Sequence, residues 1–292
     1  MKDVEVHALA ARQSNRLSRE QLEDLGLSPK AIQHRLRVGR LVRIVEGVFA
    51  LPPVLDDDRA KWMTAALAAP ESYLNRLSAA CSWGVLNRRP AFETVVRPGS
   101  GGPRRFEGIV VYRSTTLDGE TTGRDGIPIT TMPRTLLDLA CFVSEKALAR
   151  AVRESIRLKR TTTWELGDYL GRCQGRKGCL RLAQALARYK GLPLDRARSG
   201  AEIRALELLR GAGRPMPRLN FCIAGEEADL SWPQDRLVIE IDGGPFHQDV
   251  GEDARKEERW RSAGWRVERI PSDDVYDYPG NLLDLAPSNV RE

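Results

Sequence analysis

Two short helices followed by a β-hairpin are predicted near the amino terminus. Ser18 and Ser28 each precede a stretch with apolar residues at helical spacing, and both are typical N-caps. Apolar alternation on either side of Glu46-Gly47 indicates two strands joined by a tight turn. This order of elements predicts a winged helix over residues 1–55.

The middle of the chain, residues 56–195, mixes helical and strand patterns. Helical spacing predicts one helix over 59–69 and another that begins within the run 129–140. Strands are expected near 93–97 and 109–113. The breaker-rich stretch between them, 98–103, predicts a loop.

The last third, residues 196–292, predicts the element order α-β-β-β-α-β. A helix begins after Ser199, and a charged helix ends at Gly264. The four strands fall near 219–223, 227–231, 236–241 and 266–270. The sequence therefore predicts a multidomain α+β or α/β chain with a winged helix, a mixed α/β middle region and a C-terminal α/β core.

Three acids lie in or beside an apolar strand of this last part. Period-two alternation places Val238, Glu240 and Asp242 on one face, and Asp229 belongs to the preceding strand. Carboxylates this close repel one another, and burial makes each harder to ionise. Mg²⁺, or equally Mn²⁺, would remove both penalties, since it prefers hard oxygen ligands. A divalent cation held by Glu240 and Asp229 predicts metal-assisted phosphodiester hydrolysis.

Each acid also has a structural explanation. Asp229 can bind backbone amides at a strand end, and Asp242 can favour the positive φ of a tight turn. Glu240 can be neutralised by an arginine such as Arg236 or Arg269.

Two residues of the charged helix that follows are also open to interpretation. Asp253 can cap that helix, and Lys256 either neutralises phosphate or lies on a solvated face.

The amino-terminal helices offer a candidate DNA-binding surface. Ile32 and Leu36 face inward in the second helix, which leaves polar and basic residues on its outer side. The candidate DNA contacts on this helix and the hairpin are Lys30, Gln33, Arg37, Arg40 and Arg43. A packed αα-hairpin with solvated charges is the structural alternative.

Composition limits the class of protein. With 41% hydrophobic and 29% charged residues, the chain of 292 residues is typical of a soluble multidomain protein. Basic residues exceed acidic ones by 3 in 1–55 and by 8 in 56–195, whereas acids exceed bases by 5 in 196–292. The first two segments could therefore attract a polyanion. The five cysteines lack a C-x-x-C pair, and no signal or membrane segment is apparent, so we expect free thiols and a cytoplasmic protein with no membrane partner.

The first two segments resemble AbiEi-type antitoxins. The resemblance rests on the run from Gly39-Arg40-Leu41 to Gly47-Val48-Phe49-Ala50 and on Arg134-Thr135-Leu136-Leu137-Asp138-Leu139-Ala140. It implies an N-terminal winged helix that binds operator DNA, followed by a middle domain.

Residues 196–275 resemble the PD-(D/E)xK nucleases, most closely the very-short-patch-repair (Vsr) endonucleases. The resemblance rests mainly on Ser199-x-x-Glu202, Ala228-Asp229-Leu230-x-Trp232-Pro233, Arg236-Leu237-Val238-Ile239-Glu240-Ile241-Asp242-Gly243 and Phe246-His247. It implies a restriction-endonuclease-like fold whose site is formed by Glu202, Asp229, Glu240 and Asp242, with His247 nearby to take or relay a proton.

One position departs from the nuclease pattern. The lysine that usually stands two residues after the strand acid is replaced by Asp242, where the repair enzymes carry a histidine, which makes Asp242 a candidate metal ligand or base. Two other residues of the implied site also have structural explanations. Glu202 can belong to a capping box with Ser199, and His247 can be a buried structural imidazole.

The sequence therefore supports more than one function. The leading hypothesis is a Mg²⁺-dependent DNA endonuclease positioned by a winged helix. The alternative is a non-catalytic DNA-binding regulator or antitoxin with a degenerate nuclease fold, and an RNA-directed nuclease would use the same chemistry. The antitoxin resemblance makes a toxin or another defence-system protein a candidate partner. The patterns leave open whether the chain forms a homo-oligomer.

Overall fold

The computed structural model describes residues 2–88, 90–243 and 250–288. Within these ranges the chain forms a multidomain α+β protein of two compact units, one up to Arg188 and one from Tyr189. The predicted three-part division at residues 55 and 195 stays a prediction. No helix in the described ranges is both long and apolar enough to cross a bilayer. All five cysteines are free thiols, as predicted.

The amino-terminal elements form around a three-stranded sheet of order β1-β3-β2. Their bounds are α1 Lys2–Arg12, β1 Arg16–Ser18, α2 Arg19–Asp24, α3 Pro29–Arg37, β2 Val42–Val45 and β3 Val48–Ala50. The two predicted helices and the hairpin are confirmed. The first helix and the three-residue strand before α2 were not predicted, since neither has a clear periodic pattern.

Local capping explains where α2 and α3 begin. The Gln21 N–H donates to Ser18 Oγ at 3.1 Å, and the Ser18 N–H donates to the Gln21 side chain at 3.0 Å, which completes a capping box. Ser28 Oγ accepts the Ala31 N–H at 3.3 Å. The apolar faces of both helices, with Leu22 and Ile32 buried, then pack into one small core.

A six-stranded sheet of order β6-β7-β5-β4-β9-β8 follows in the same unit. Its strands and adjoining helices are α4 Asp58–Leu67, β4 Tyr73–Leu74, α5 Arg76–Ser82, β5 Glu93–Pro98, β6 Arg104–Phe106, β7 Ile109–Ser114, β8 Thr121–Arg124 and β9 Ile127–Thr130. Strands β5 and β7 and the loop after β5 agree with the prediction. Val95 and Val111 pack with Val45 and Val48 of the hairpin in a shared core.

Four helices complete the first unit in the described ranges. They are α6 Met132–Leu139, α7 Glu145–Arg157, α8 Thr163–Arg172 and α9 Cys179–Ala187. Arg134, at the start of α6, is buried and binds Glu120 at 2.5 Å and Asp138 at 2.9 Å. Arg176 also binds Glu120, so this partly buried ion network joins α6 to the segment that precedes α9.

The second unit contains a four-stranded sheet of order β10-β11-β12-β13. After a 3₁₀ turn at Leu194–Arg196, its elements are α10 Gly200–Gly211, β10 Arg218–Ile223, β11 Glu226–Trp232, β12 Leu237–Asp242, α11 Val250–Ser262, β13 Arg266–Pro271, α12 Ser272–Asp277 and α13 Pro279–Leu285. The predicted α-β-β-β-α-β order is confirmed. The first three strands are antiparallel, whereas β12 and β13 are parallel.

Trp260 fixes α11 against this sheet. Its side chain is 1% exposed and packs with Ala228 of β11 and Val238 of β12. Its indole N–H donates to the Ile223 carbonyl at 3.1 Å. The face of β12 that carries Val238 therefore meets α11.

Candidate functional site

Strands β11 and β12 separate at the point where the predicted acids lie. Their ladder runs from Trp232↔Leu237 to Leu230↔Ile239. At the next position, the Asp229 N–H donates to Glu240 Oε1 at 2.9 Å, and the Ile241 N–H donates to Asp229 Oδ2 at 2.9 Å. Two side-chain carboxylates thus replace the backbone acceptors, which brings Asp229 and Glu240 together as the sequence predicts.

Lys256 completes this site from α11. Its Nζ lies 2.8 Å from Glu240 Oε2, and the Glu240 side chain is only 13% exposed. Trp260, one helical turn further on, holds the helix in place, and Lys256 Nζ lies 4.7 Å from the centre of its ring. The solvated-face interpretation of Lys256 is therefore wrong. The four-residue spacing to a tryptophan was the sequence signal that could have placed it on the inner face.

The site raises the pKa of Asp229 above that of an exposed aspartate. Burial raises the pKa of Asp229, the nearby Glu240 carboxylate raises it further, and the hydrogen bond from the Ile241 amide lowers it, with a net value of about 6. Asp229 is thus harder to ionise than an exposed aspartate. A cation placed between the two acids would remove that penalty.

Replacing Asp229 by Asn should stabilise the protein at high pH. The folded pKa lies above the ordinary 3.8, so the folded state holds this proton more tightly, and the free energy of unfolding falls as pH rises from about 4 to about 6. Asn keeps an acceptor for the Ile241 N–H without the charge. We expect Asp229→Asn to raise the free energy of unfolding by about 1–3 kcal/mol at pH 8, and by less at pH 4.

Urea unfolding at both pH values, without added metal, measures this effect. Asp235→Asn, on the exposed turn between β11 and β12, is the matched control, and its stability should not change. A less stable Asp229→Asn protein at pH 8 would contradict the expected origin of the pKa shift.

Glu202 lies near this pair but is held by the backbone. It is 3% exposed, and its own N–H donates to Ser199 Oγ at 3.1 Å, so Ser199 caps α10. Glu202 Oε2 accepts the Arg198 N–H at 3.0 Å and the Asn220 side-chain amide at 3.3 Å. The capping-box interpretation therefore holds in a modified form. Ser199 caps α10, but the Glu202 carboxylate accepts from the N–H of Arg198, the residue before the cap. Its charge still contributes to the raised pKa of Asp229.

Asp242 is neutralised by Arg269. The guanidinium binds it through Nε at 3.0 Å and Nη2 at 2.7 Å, and Nη2 also reaches Asp253 at 3.1 Å. The tight-turn interpretation is wrong, because Asp242 is the last residue of β12 and lacks a positive φ. Asp253 lies within the first turn of α11, which begins at Val250, so it is not the N-cap. Arg269 therefore compensates Asp242 rather than Glu240.

His247 lies outside the described residues, as does Phe246, so its predicted role stays a prediction. In the parts of the chain that the structure describes, no group of three or more His, Cys, Asp and Glu side chains is arranged to hold a metal ion. The described part of the site is therefore a carboxylate pair with one lysine beside it.

The predicted DNA contacts lie on the surface of the first unit. Lys30, Gln33 and Arg37 are exposed on α3, Arg40 is exposed before the hairpin, and Arg43 is exposed on β2. Gln33 and Arg43 also line a groove of about 630 Å³. Arg97, Arg104 and Arg113 of the six-stranded sheet line it as well, although no pattern in the sequence predicts this role for them.

Comparisons with known proteins give few matches. No family model matches the chain. No curated protein matches it either. Among solved structures, the chain is similar to the catalytic domain of the homing endonuclease I-Bth0305I, with 22% sequence identity and a TM-score of 0.26 over 30% of this chain and 89% of that one.

Proposed function

We propose that the second unit catalyses metal-dependent hydrolysis of phosphodiester bonds in DNA, and that the first unit binds the DNA. The observation that carries the proposal is the Asp229–Glu240 pair at the divergence of β11 and β12, with Lys256 Nζ 2.8 Å from Glu240. In this proposal residues 196–275 form a Vsr-like nuclease core, and the preceding segments form an AbiEi-like DNA-binding region.

The residues present fit a divalent cation. Mg²⁺ in proteins is commonly bound by one or two carboxylates, with water and substrate phosphate completing its shell, so a pair of acids is sufficient. Asp229 and Glu240 supply hard oxygen atoms, and the raised pKa of Asp229 marks a place where added positive charge is favourable. Mn²⁺ accepts the same ligands.

The chain's own groups have distinct tasks in this mechanism. When bound, Mg²⁺ would polarise the scissile phosphate and make a water molecule more acidic. The amides of Asp229 and Ile241 hold the two carboxylates in fixed positions. Lys256 places an ammonium group beside Glu240, where it can donate to the attacking water or to a phosphate oxygen. Lys256 from α11 would thus take the part of the lysine that Asp242 replaces in the strand.

The direct test incubates the full chain with supercoiled plasmid DNA and Mg²⁺ or Mn²⁺, with EDTA as the negative control. Magnesium binding to the same protein is measured by isothermal titration calorimetry. We expect metal-dependent nicking together with saturable binding. Absence of both would overturn the proposal, and faster cleavage of a matched RNA would identify RNA as the substrate.

Replacing Lys256 by Met should lower the rate of DNA cleavage by about 100-fold. The variant keeps much of the packing against Trp260 but removes the ammonium group. Arg255→Met is the matched control, because Arg255 is the neighbouring cation on α11 and is exposed. Its rate should stay near wild type. Equal losses in the two variants would indicate a general effect of charge rather than a role for Lys256.

A non-catalytic DNA-binding regulator is the second candidate. It is favoured by the pairing of Glu240 with Lys256 and of Asp242 with Arg269, since these two acids are already neutralised by side chains of the protein. If the protein is such a regulator, we expect it to bind DNA, to show no Mg²⁺ binding in calorimetry and to leave plasmid DNA intact. A toxin or another defence-system partner would belong to this alternative.

A further inference from the structure

Three arginines of the six-stranded sheet share one face. In the parallel pair β5 and β7, Arg97 lies directly beside Arg113. In the antiparallel pair β6 and β7, Arg104 lies opposite Val111, which is two residues before Arg113. Because side chains alternate along a strand, all three point to the same side. We call Arg97, Arg104 and Arg113 the sheet arginines.

The same face is apolar along part of its length. Val95 and Val111 are buried there in a core that also contains Val45 and Val48 of the β2–β3 hairpin. Beyond this core the sheet arginines face the groove that Arg19, Gln33 and Arg43 line from the amino-terminal elements. The groove thus lies within the first unit, beside the candidate DNA-binding helix α3.

The groove has an uncompensated positive charge. Of its five arginines, Arg19 contacts a carboxylate, Glu23, at 3.8 Å. In the described parts of the chain, the sheet arginines and Arg43 have no acidic side chain within ion-pairing distance. Glu46 is the acid that lines the groove.

Packing arginines side by side has a cost. Like charges on paired strands repel, and Arg97 and Arg113 are direct neighbours in the register. Arg97 Nε is buried and lacks a hydrogen-bond partner among the described residues. An anion in the groove would relieve this repulsion and would accept hydrogen bonds from the guanidinium groups of the sheet arginines.

We propose that this groove binds the phosphate backbone of double-stranded DNA, next to the stretch contacted by α3. The inference rests on the DNA-binding part of the proposed function and extends it from the amino-terminal elements to the sheet arginines. Guanidinium groups bind phosphate oxygens through paired hydrogen bonds, and an arginine-lined groove is typical of a surface that follows a polyanion. Aromatic rings hold two of these groups, with Arg19 5.5 Å from the centre of Phe49 and Arg104 5.7 Å from that of Phe106.

The test measures binding of the full chain to a fluorescein-labelled DNA duplex by anisotropy, in EDTA and over a range of salt concentrations. We expect the Arg104→Ala/Arg113→Ala variant to bind at least about tenfold more weakly, and the slope of log K against log salt to fall by about 2. Arg105→Ala is the matched control. Arg105 is the next residue on β6, pairs with Val110 on the other face and lies over Phe92.

The outcomes are distinct. Wild-type affinity of the double variant, or an equal loss in Arg105→Ala, overturns the inference, provided that thermal melting shows the variants folded. Displacement of the duplex by equimolar inorganic phosphate or by single-stranded RNA also overturns it. Because EDTA prevents metal-dependent cleavage, DNA binding that depends on the sheet arginines would support this groove even in a protein that never cleaves DNA.

Discussion

Replacing Glu240 by Gln is expected to abolish metal-dependent cleavage of plasmid DNA, lowering its rate by at least about 100-fold. Gln keeps an oxygen acceptor for the Asp229 N–H, so the local fold should persist. It loses the negative charge that would bind a divalent cation and that pairs with Lys256. The fall in rate should therefore be accompanied by loss of magnesium binding in calorimetry.

Glu268→Gln is the matched control for this prediction. Glu268 lies on β13 of the same sheet and makes a partly exposed contact with Arg266 at 3.6 Å, which is worth little to the fold. Its cleavage rate should equal that of wild type. Unchanged cleavage by Glu240→Gln would assign any nicking activity to another site or to a contaminant.

Replacing Arg134 by Met should have the largest effect on stability, lowering the free energy of unfolding of the first unit by about 3–5 kcal/mol. The Arg134 side chain is 6% exposed, and it bonds Glu120 at 2.5 Å, Asp138 at 2.9 Å and the Thr116 carbonyl at 2.7 Å. Burial raises the pKa of Asp138, while Arg134 opposes that shift. Met would leave the partly buried Asp138 without its main cation and would remove one of the two guanidinium groups that bind Glu120.

Urea unfolding of Arg134→Met at neutral pH measures this loss. Arg150→Met provides the comparison, because Arg150 is exposed on α7, and its stability should change by less than about 0.5 kcal/mol. Arg134→Lys should lose most of the stability too, since an ammonium cannot match the fork of contacts that the guanidinium makes. A loss below about 1 kcal/mol in Arg134→Met would contradict the importance of the network.

Local signals were sufficient for much of the fold. The caps at Ser18, Ser28 and Ser199 were predicted because a cap bonds to the backbone three residues away, within one segment of sequence. Alternation predicted β12, and with it the shared face of Glu240 and Asp242. The short strand β1 escaped prediction because three residues are too few for a pattern.

Local sequence signals did not predict which residues distant in the chain contact one another. Arg269 was one of two arginines considered for Glu240, yet the packed structure gives it to Asp242 and gives Lys256 to Glu240. Which cation meets which acid depends on how α11 lies across the sheet and on side-chain reach. Neither property is encoded in the spacing of residues along one element.

The sequence by itself determined the order of helices and strands in the second unit and the acidic character of its β11–β12 pair, because capping and alternation act over a few neighbouring residues. Only the tertiary structure decided that Lys256 contacts Glu240, that Arg269 neutralises Asp242, and that Arg97 and Arg113 lie side by side. These contacts join residues 16 to 27 positions apart. Strand register and helix packing, set by burial of the whole core, bring such residues together.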